Sequence, residues 1–553
     1  MKAFDFTGKG GKGAFYKQLK ALVVDDFDNF RINVCHMMQR FGIGQVNDVS
    51  TAEAALERCE GTAYDVILCD YNLGVGKNGQ QLLDELRDKK LLKSSSLFIL
   101  VSGESSKSVI MAAYDARPDA YLTKPLNQQG LNQRLESLLA EKHDLLPVFQ
   151  AIDNSDLKKA IAHCSAIAQE KKQHRVACQK IQLELLFDLG DYKTVESICR
   201  KFLERTNLEW AKLGLVRALL HREEYDEVIT LCDEIIAENA ICMQAFDFKI
   251  KALEGKDDKT ELQKVLKMAV ELSPLTYERQ GALGSIALQN NDIEIAAIAF
   301  QKASRLGEHS HLDTTETQLN FGRCAADMAK LDKQKSRNMA KEAVKFVEQA
   351  ASATEGILDK DIQRQLVQGQ LQFCSGHQQK GQATVATAEQ RITEAGDSIA
   401  LETMTDLVKA FSGTGQEDKA EALFEKLIED NKNNEDNLKK LDFLSEKPVS
   451  KESNVRFTEC NNEGIAAFEA KDYDKARRLF EEARSLCPKH TAVALNLAQV
   501  LLGAIEDNGY SEEFMASTKR ALLAGRDLEE SDPQYERYKA LVDKYQWQIR
   551  NKK

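Results

Sequence analysis

The sequence contains few of the residues that break helices or build cross-linked frameworks. Only 7 of its 553 residues are proline, and its 12 cysteines include no Cys-x-x-Cys pair. Disulfide frameworks and structural zinc sites depend on regular cysteine spacings. We therefore expect the cysteines to be reduced and to serve as small buried side chains. The scarcity of proline is typical of a helix-rich protein.

The sequence also has no long apolar run and no excess of positive charge. No stretch approaches the length that crosses a bilayer, and the N-terminus has lysines but no apolar core of signal-peptide length. The formal net charge is −12, which disfavours a polyanionic partner. These absences predict a cytoplasmic protein without membrane insertion and without nucleic acid as a partner.

From Lys20 to about Glu141, short apolar runs alternate with amphipathic stretches. The short runs, which have the length of buried strands, cover 21–24, 45–49, 66–69, 97–101 and 120–122. The amphipathic stretches, which predict helices, include 29–41, 52–60, 79–90 and 127–141. This alternation predicts an α/β fold with a doubly wound, five-stranded parallel sheet. In such a sheet, residues that follow the strands meet at one edge.

After about Asp144 the strand pattern disappears and pairs of helices are separated by short polar turns. The turns LGDY, REEY, GKDDK and QNNDI end at positions 192, 225, 259 and 293. The spacing of these turns is the tetratricopeptide period of about 34 residues. The sequence therefore predicts an all-α helical-repeat solenoid, in which the match is degenerate over 310–430.

A late segment, NEGIAAFEAKDYDKARRLFEEARSLCP, has the clearest repeat pattern. Small residues allow two helices to approach closely, aromatic residues fill the adjacent space, and proline ends the second helix. The residues in these packing positions are Gly464, Ala467, Tyr473, Ala476, Phe480, Ala483 and Pro488. We interpret this segment as a C-terminal tetratricopeptide repeat.

Polar residues follow four of the predicted strands. Asp25 and Asp26 come after ALVV, Asp70 after VILC, Ser102 after LFILV and Lys124 after AYL. Neighbouring carboxylates are costly unless a hard cation holds them, and Mg²⁺ fits an oxygen-rich site. A lysine and a hydroxyl beside such a site suit phosphoryl transfer, which needs positioning and charge neutralisation. The pattern predicts Asp70 as the nucleophile. Each residue alone has a simpler explanation as a helix cap or loop residue, but their joint order favours a site.

With VVDD, CDYNLG, VSGE and TKPL in this order, the N-terminal part of the chain, up to about Glu141, resembles the receiver domain of bacterial response regulators, a flavodoxin-like fold. The resemblance implies that Asp70 accepts a phosphoryl group from a histidine kinase or phosphotransfer protein. It also implies an Mg²⁺ site formed by Asp26, Asp70 and the backbone carbonyl of Asn72, with Asp25 holding a metal-bound water.

The resemblance assigns further roles around the phosphoacceptor. Ser102 binds the new phosphoryl group, Lys124 pairs with it, and Tyr121 turns inward as part of the switch. Pro125 occupies a position where a cis bond is usual. Asn72 and Glu104 occupy positions that tune phosphoryl lifetime, and their small or polar side chains predict a short-lived mark.

Two residues depart from the family pattern. Gly74 stands where proline is frequent, and Gly79 comes one residue later than usual after Asp70. The loop after the third strand is therefore predicted to be longer than usual.

Together these patterns predict five regions in the chain. They are a flexible leader at 1–18, a receiver domain at 19–142, tetratricopeptide-like repeats at 143–430, a flexible or loosely helical joint at 431–455, and a C-terminal repeat with capping helices at 456–553.

The predicted function is that of a bacterial response regulator in a phosphorelay. Phosphorylation of Asp70 would control a protein-protein interaction through the helical repeats, and no other enzymatic activity is expected. One alternative is a modulator or phosphate sink that acts on a histidine kinase or another response regulator. A second is a constitutive repeat scaffold. A DNA-binding output is disfavoured because no basic recognition helix is visible. The sequence does not identify the kinase, the protein partner, the active phosphorylation state, the oligomeric state or the pathway.

Overall fold

The computed structural model describes residues 11–104, 106–331, 336–526 and 528–551. Its N-terminal part contains one parallel sheet with strand order β2-β1-β3-β4-β5. The strands are β1 (Lys20–Val24), β2 (Gln45–Val49), β3 (Val66–Asp70), β4 (Leu97–Ser102) and β5 (Ala120–Thr123). The helices are α1 (Gly11–Tyr16), α2 (Asp28–Phe41), α3 (Ala52–Gly61), α4 (Gly79–Asp88), α5 (Lys107–Asp115) and α6 (Gln128–Asp144). The five predicted strands and the doubly wound sheet are confirmed. The amphipathic stretches identified in the sequence did not include α5.

Side chains on the two faces of the sheet enter two separate apolar clusters. Along β3, Ile67 and Cys69 pack on one side, whereas Val66 and Leu68 pack on the other. All four are essentially inaccessible to solvent. Because helices cover both faces, these strands are apolar at every position instead of alternating with polar residues.

The end of the predicted flexible leader requires a correction. Residues 1–10 lie outside the described residues, but Gly11–Tyr16 form α1. Tyr16 is only 7% exposed and packs in the apolar cluster beneath α2 and α6. The Tyr16 ring lies 4.6 Å from the Phe41 ring, centroid to centroid. Burial of this aromatic side chain holds residues 11–18 against the α/β domain.

The remainder of the described chain is helical. The first helices are α7 (Leu146–Asp153), α8 (Leu157–Glu170), α9 (Arg175–Asp188), α10 (Tyr192–Leu203), α11 (Glu209–Leu220), α12 (Tyr225–Glu238), α13 (Met243–Gly255), α14 (Lys259–Leu272), α15 (Tyr277–Gln289) and α16 (Ile293–Leu306). The next are α17 (Thr315–Leu331), α18 (Ser336–Gln349), α19 (Ala351–Thr354), α20 (Leu358–Cys374), α21 (Gln378–Ala395), α22 (Leu401–Gly413), α23 (Glu417–Asn431) and α24 (Glu435–Asp442). The last are α25 (Lys451–Glu469), α26 (Tyr473–Leu486), α27 (Thr491–Asn508), α28 (Glu512–Leu522) and α29 (Tyr535–Arg550).

The turns between paired helices recur at the predicted interval. Gly190, Glu223, Asp257 and Asn291 each have a positive φ, and each stands at the same place in one of the four polar turns. One left-handed residue at this place reverses the chain in the same way each time. The predicted spacing of the turns is confirmed.

The described residues divide into two compact units. One contains the described residues up to Arg279 together with Leu306–Leu312, and the other contains Gln280–Arg305 together with the described residues from Asp313 onwards. Among the described residues, no helix has both the length and the apolar character that a bilayer span requires.

Part of the predicted joint at 431–455 is folded. Its helix α24 buries Leu438 and Leu441. Asp442, which is 1% exposed, accepts hydrogen bonds from the backbone amides of Val449 and Ser450 at 2.6 and 3.0 Å. These contacts order the segment that leads into α25.

Candidate functional site

The acidic residues that follow the strands converge at the carboxyl edge of the sheet. Asp25 follows β1 and is 1% exposed, Asp70 ends β3 and is 5% exposed, and Asp26 is exposed beside them. One carboxylate oxygen from each residue lies within 4.8 Å of the others. Parallel pairing of β1 with β3 brings these strand ends side by side. The predicted clustering of the three carboxylates is therefore present.

Lys124, which follows β5, reaches across the sheet edge to two of these carboxylates. Its Nζ lies 2.7 Å from Oδ2 of Asp25 and 2.7 Å from Oδ2 of Asp70. The ammonium group also lies 4.1 Å from the centre of the Phe30 ring, which is within the range of a cation–π contact. The Lys124–Pro125 bond is cis, as expected.

Burial and pairing act against each other on the charges of this site. Burial raises the pKa of the Asp70 carboxyl, and the neighbouring Asp25 carboxylate adds to this effect, while Lys124 opposes it. Burial disfavours the charged form of Lys124, but the hydrogen bonds to Asp25 and Asp70 outweigh it and raise the pKa of the ammonium group. One ammonium group therefore pairs with two carboxylates while a third lies beside them, which leaves an excess of negative charge.

Ser102 and Tyr121 lie on β4 and β5, the two strands that follow β3 in the order of the sheet. The Ser102 side chain is buried, and its Oγ accepts a hydrogen bond from the amide of Glu104 at 3.0 Å. The Tyr121 ring packs against the apolar cluster of β3 and α4, and its hydroxyl donates to the carbonyl oxygen of Glu104 at 3.3 Å. Both side chains thus hold the loop that follows β4.

At both positions that depart from the family pattern, glycine has a steric explanation, whereas the longer loop after β3 stays a prediction. Gly74 has a φ of +77°, which proline cannot adopt, and a Cβ there would lie 3.2 Å from Oδ2 of Asp26. A Cβ on Gly79 would lie 2.2 Å from the carbonyl oxygen of Asp70. Asn72 is exposed in the same loop and accepts a hydrogen bond from the Gly74 amide at 3.1 Å.

The donor set fits a hard divalent cation. Three carboxylates within 4.8 Å of one another supply only oxygen ligands, and such ligands select Mg²⁺ or Ca²⁺ over softer metals. The fixed burial of Asp25 and Asp70 favours a cation that compensates their charge. The site can therefore bind a metal ion.

Two residues that support the site were not identified from the sequence. Phe30 covers the Lys124 ammonium group, and Arg31 donates from Nη1 to the carbonyl oxygen of Asp25 at 2.7 Å. Arg31 also bonds to Asp28 and Asp48 at 2.6 and 2.8 Å. Both residues lie on α2, where their spacing is that of an ordinary amphipathic helix, so no sequence signal marks them.

The C-terminal repeat positions form a packed hairpin of α25 and α26. The hydroxyl of Tyr473 donates to Asp507 at 2.8 Å, and Pro488 follows the end of α26. A Cβ on Gly464 would lie 2.9 Å from the Phe480 ring. The remaining small positions, all of them buried, are Ala467, Ala476 and Ala483. Their predicted proximity is therefore present.

Comparison with protein families assigns two segments of the chain. Residues 21–136 match the model of the response regulator receiver domain, and residues 457–490 match the tetratricopeptide repeat. The chain is 25% identical over 122 residues to chemotaxis protein CheY-3 of Vibrio cholerae, covering 22% of this chain and 92% of the relative. It is 26% identical over 120 residues to chemotaxis protein CheY of Pseudomonas aeruginosa, covering 22% and 95%.

Solved structures match the same share of the chain. A CheY-like receiver domain from Methylobacillus flagellatus is 26% identical, with 22% of this chain and 98% of that chain covered and a TM-score of 0.19. Chemotaxis response regulator CheY4 of Vibrio cholerae is 25% identical, with 22% and 98% covered and a TM-score of 0.21. From the family matches, the chain carries a response regulator receiver domain, followed by a helical region that contains a tetratricopeptide repeat.

Proposed function

We propose that the protein is a response regulator of a phosphorelay that accepts a phosphoryl group on Asp70. The observation that supports this most directly is the convergence of Asp25, Asp26 and Asp70 at one sheet edge, with Lys124 Nζ 2.7 Å from Asp70. A saturated structural ion pair has balanced charge. This cluster instead has more carboxylates than cations, as a site that receives Mg²⁺ and a phosphoryl donor requires.

The reaction is a transfer between a phosphodonor and the Asp70 carboxylate. A carboxylate oxygen attacks phosphorus, a new O–P bond forms, and the N–P bond of a phosphohistidine breaks with its electron pair remaining on the imidazole nitrogen. Lys124 neutralises charge on the carboxylate and on the incoming phosphoryl oxygens, and the Ser102 hydroxyl donates to one of these oxygens. When bound by Asp25, Asp26, Asp70 and the carbonyl of Asn72, Mg²⁺ would neutralise the equatorial oxygens.

We further propose that the phosphoryl group is short-lived. Asn72 and Glu104 are both exposed, and their small or polar side chains would admit water to a phosphoryl group on Asp70. Hydrolysis attaches water oxygen to phosphorus and returns the carboxylate to Asp70. A measured half-life of many hours would contradict this proposal.

The proposed setting is that of a cytoplasmic bacterial signalling protein. The phosphodonor is a histidine kinase or a phosphotransfer protein, and the repeats bind a protein partner under the control of the receiver. Apart from its own phosphorylation and dephosphorylation, no further catalysis is proposed.

Labelling of the purified full-length chain with acetyl phosphate tests the proposed function. The wild-type protein is expected to acquire one phosphoryl group in the presence of Mg²⁺, and Asp70→Asn is expected to acquire none. Asp88→Asn provides a matched control, since Asp88 is an exposed aspartate at the end of α4. Labelling of Asp70→Asn at the wild-type level, or no labelling while a known receiver is labelled, would overturn the proposal.

A further inference from the structure

The last residue of α5 is bound by residues from the helical region. Oδ2 of Asp115 accepts hydrogen bonds from Ser273 Oγ at 2.5 Å and Thr276 Oγ1 at 3.0 Å. Arg279 Nη1 donates to the same oxygen at 2.7 Å, and Nη2 donates to Oδ1 at 3.2 Å. Asp115 and its partners belong to one compact unit. Three side chains that are distant from Asp115 in the sequence thus bind one receiver carboxylate.

One of the three donor residues, Arg279, is also held by a second carboxylate, and Thr276 lies beside it. Arg279 also contacts Asp247 of α13, through Nε at 2.8 Å and Nη2 at 2.9 Å. Ser273 is fully buried and Arg279 is 7% exposed. Ser273 and Thr276 lie within hydrogen-bond distance of each other, with 3.2 Å between their oxygens. We call Ser273, Thr276 and Arg279 the carboxylate socket.

The carboxylate socket differs from a surface ion pair in strength and in geometry. An exposed pair is worth little because water solvates both charges. Asp115 receives two neutral and two charge-assisted hydrogen bonds at a site where its side chain is 11% exposed. If the helical region moved away from Asp115, the carboxylate would regain water, but Arg279 would keep only one of its two carboxylate partners. The contact is therefore able to hold α5 in one position.

A second contact joins the receiver to the same unit through α4. Gln81 Nε2 donates to the carbonyl oxygens of Leu306 and Glu308 at 3.0 and 3.4 Å. The amide of Gln81 also takes part in the capping box with Asn78 at the start of α4. The receiver is thus joined to the helical part of this unit by two neighbouring helices.

The phosphorylation site reaches α5 through a short connection. Ser102 ends β4, its Oγ accepts from the Glu104 amide, and α5 begins at Lys107. The carbonyl oxygen of Glu104 in turn accepts from Tyr121. If Ser102 turns its hydroxyl towards a phosphoryl group on Asp70, the loop at Glu104 has to rearrange. Asp115 lies at the other end of α5, about 13 Å along a rigid nine-residue helix.

We propose that the carboxylate socket is a binding site whose ligand is Asp115 while Asp70 is unphosphorylated, and that phosphorylation of Asp70 releases Asp115 from it. The coupling to phosphorylation rests on the proposed function. Release leaves three hydrogen-bond donors on the helical region open to an acidic side chain of a protein partner. Linkage requires the reverse effect as well, so that loss of the socket contact makes Asp70 easier to phosphorylate.

Hydrogen exchange of the full-length chain tests the contact itself. Asp115→Asn keeps the size of the side chain but removes its charge, and it is expected to raise amide exchange in 107–115 and in 273–279. Asp88→Asn, on the neighbouring helix α4, is expected to leave both segments unchanged. The charge swap Asp115→Arg with Arg279→Asp is expected to restore protection, since an arginine at 115 meets carboxylates at 247 and 279. Unchanged exchange in Asp115→Asn would overturn the socket.

Exchange before and after treatment with acetyl phosphate and Mg²⁺ tests the coupling. Release predicts that exchange rises in both segments of the wild-type protein and stays unchanged in Asp70→Asn, and that a larger fraction of Asp115→Asn than of wild type is phosphorylated at the same concentration of acetyl phosphate. Labelling of Asp70 with no change in either segment would overturn the coupling and leave the proposed function intact. If Asp70 is not labelled, the proposed function fails, whereas the Asp115→Asn arm still decides whether the socket exists.

Discussion

The receiver site and the Arg323 cluster of the helical region both pair a cation with a buried carboxylate, but they differ in their charge balance. At the sheet edge, Lys124 faces Asp25, Asp70 and the nearby Asp26. In the helical region, Arg323 pairs with Asp406 and Glu316 and uses its full set of donors. Lys360 also pairs with Glu316, so two cations face two carboxylates there. The comparison teaches that burial of charge alone does not mark a functional site. An excess of negative charge at the carboxyl edge of the sheet does mark one.

In the Arg323 cluster, which we call a saturated ion pair, every donor of the guanidinium group has an acceptor. Its Nη2 lies 2.6 Å from Oδ2 of Asp406, and its Nη1 donates to Glu316 and Asn320 at 2.9 and 2.7 Å. Asp406 is 3% exposed. Nη2 also reaches Oε1 of Gln363 at 3.3 Å. Burial disfavours the charged form of Arg323, but Asp406 and Glu316 outweigh it and raise its pKa.

The largest loss of stability is expected when the ion pair between Arg323 and Asp406 is broken. Arg323→Met leaves the Asp406 carboxylate buried without its cation, which costs about 3–5 kcal/mol of stability in comparable cases. Native-state hydrogen exchange in α17 and α22 measures the loss. Phosphoryl labelling at Asp70 should stay at the wild-type level.

An exposed pair provides the matched control for Arg323. Arg200 contacts Glu196 and Glu227 on the surface of α10 and α12, and Arg200→Met is expected to cost less than about 1 kcal/mol. Equal losses of stability in the two variants would show that burial does not separate the two kinds of pair.

A substitution in the receiver site should change the rate of phosphorylation. Lys124→Ala removes the cation that faces both Asp25 and Asp70, and we expect the rate of labelling by acetyl phosphate to fall about a hundredfold, as when one transition-state donor is removed. Circular dichroism should show that the fold is retained. Lys17→Ala, at an exposed position, is the control and should be labelled normally. A Lys124→Ala protein labelled at the wild-type rate would remove this lysine from the mechanism.

The smallest change is expected in the stability of variants that alter helix packing in the C-terminal repeat. Gly464→Ala places a Cβ 2.9 Å from the buried Phe480 ring. Overpacking costs about 1–3 kcal/mol of stability, and the better helix propensity of alanine returns about 1 kcal/mol, so we expect a small net destabilisation. Gly281→Ala, in a helix where the new Cβ meets no atom within 4 Å, should be stabilising. Denaturant unfolding compares the two variants. Stabilisation by both would contradict the close approach of α25 and α26.

The receiver site was predictable because residues that follow the strands of a parallel sheet lie together in space. Asp25, Asp70, Ser102 and Lys124 each follow a buried apolar run, and strand ends of one sheet meet at one edge. The sequence did not predict that Lys124 bonds to Asp25 as closely as to Asp70, since that depends on the reach of a flexible side chain across the sheet edge.

The helical region was less predictable because its polar contacts join residues with no common sequence signal. Arg279 did not stand out from other charged residues on amphipathic helices, and neither did its partner Asp115, which lies on the receiver helix α5 that the sequence patterns did not identify. The repeat match decays over 310–430 because this part buries polar side chains, among them Gln363, Gln370 and Asp406.

The central claim is that Asp70 accepts the phosphoryl group, and mapping of the modified residue tests it most directly. After treatment of the full-length chain with acetyl phosphate and Mg²⁺, borohydride reduces an aspartyl phosphate to homoserine, which peptide mass spectrometry locates. The account predicts homoserine at position 70 alone. Homoserine at another aspartate, or at none while a known receiver is modified in parallel, would contradict it.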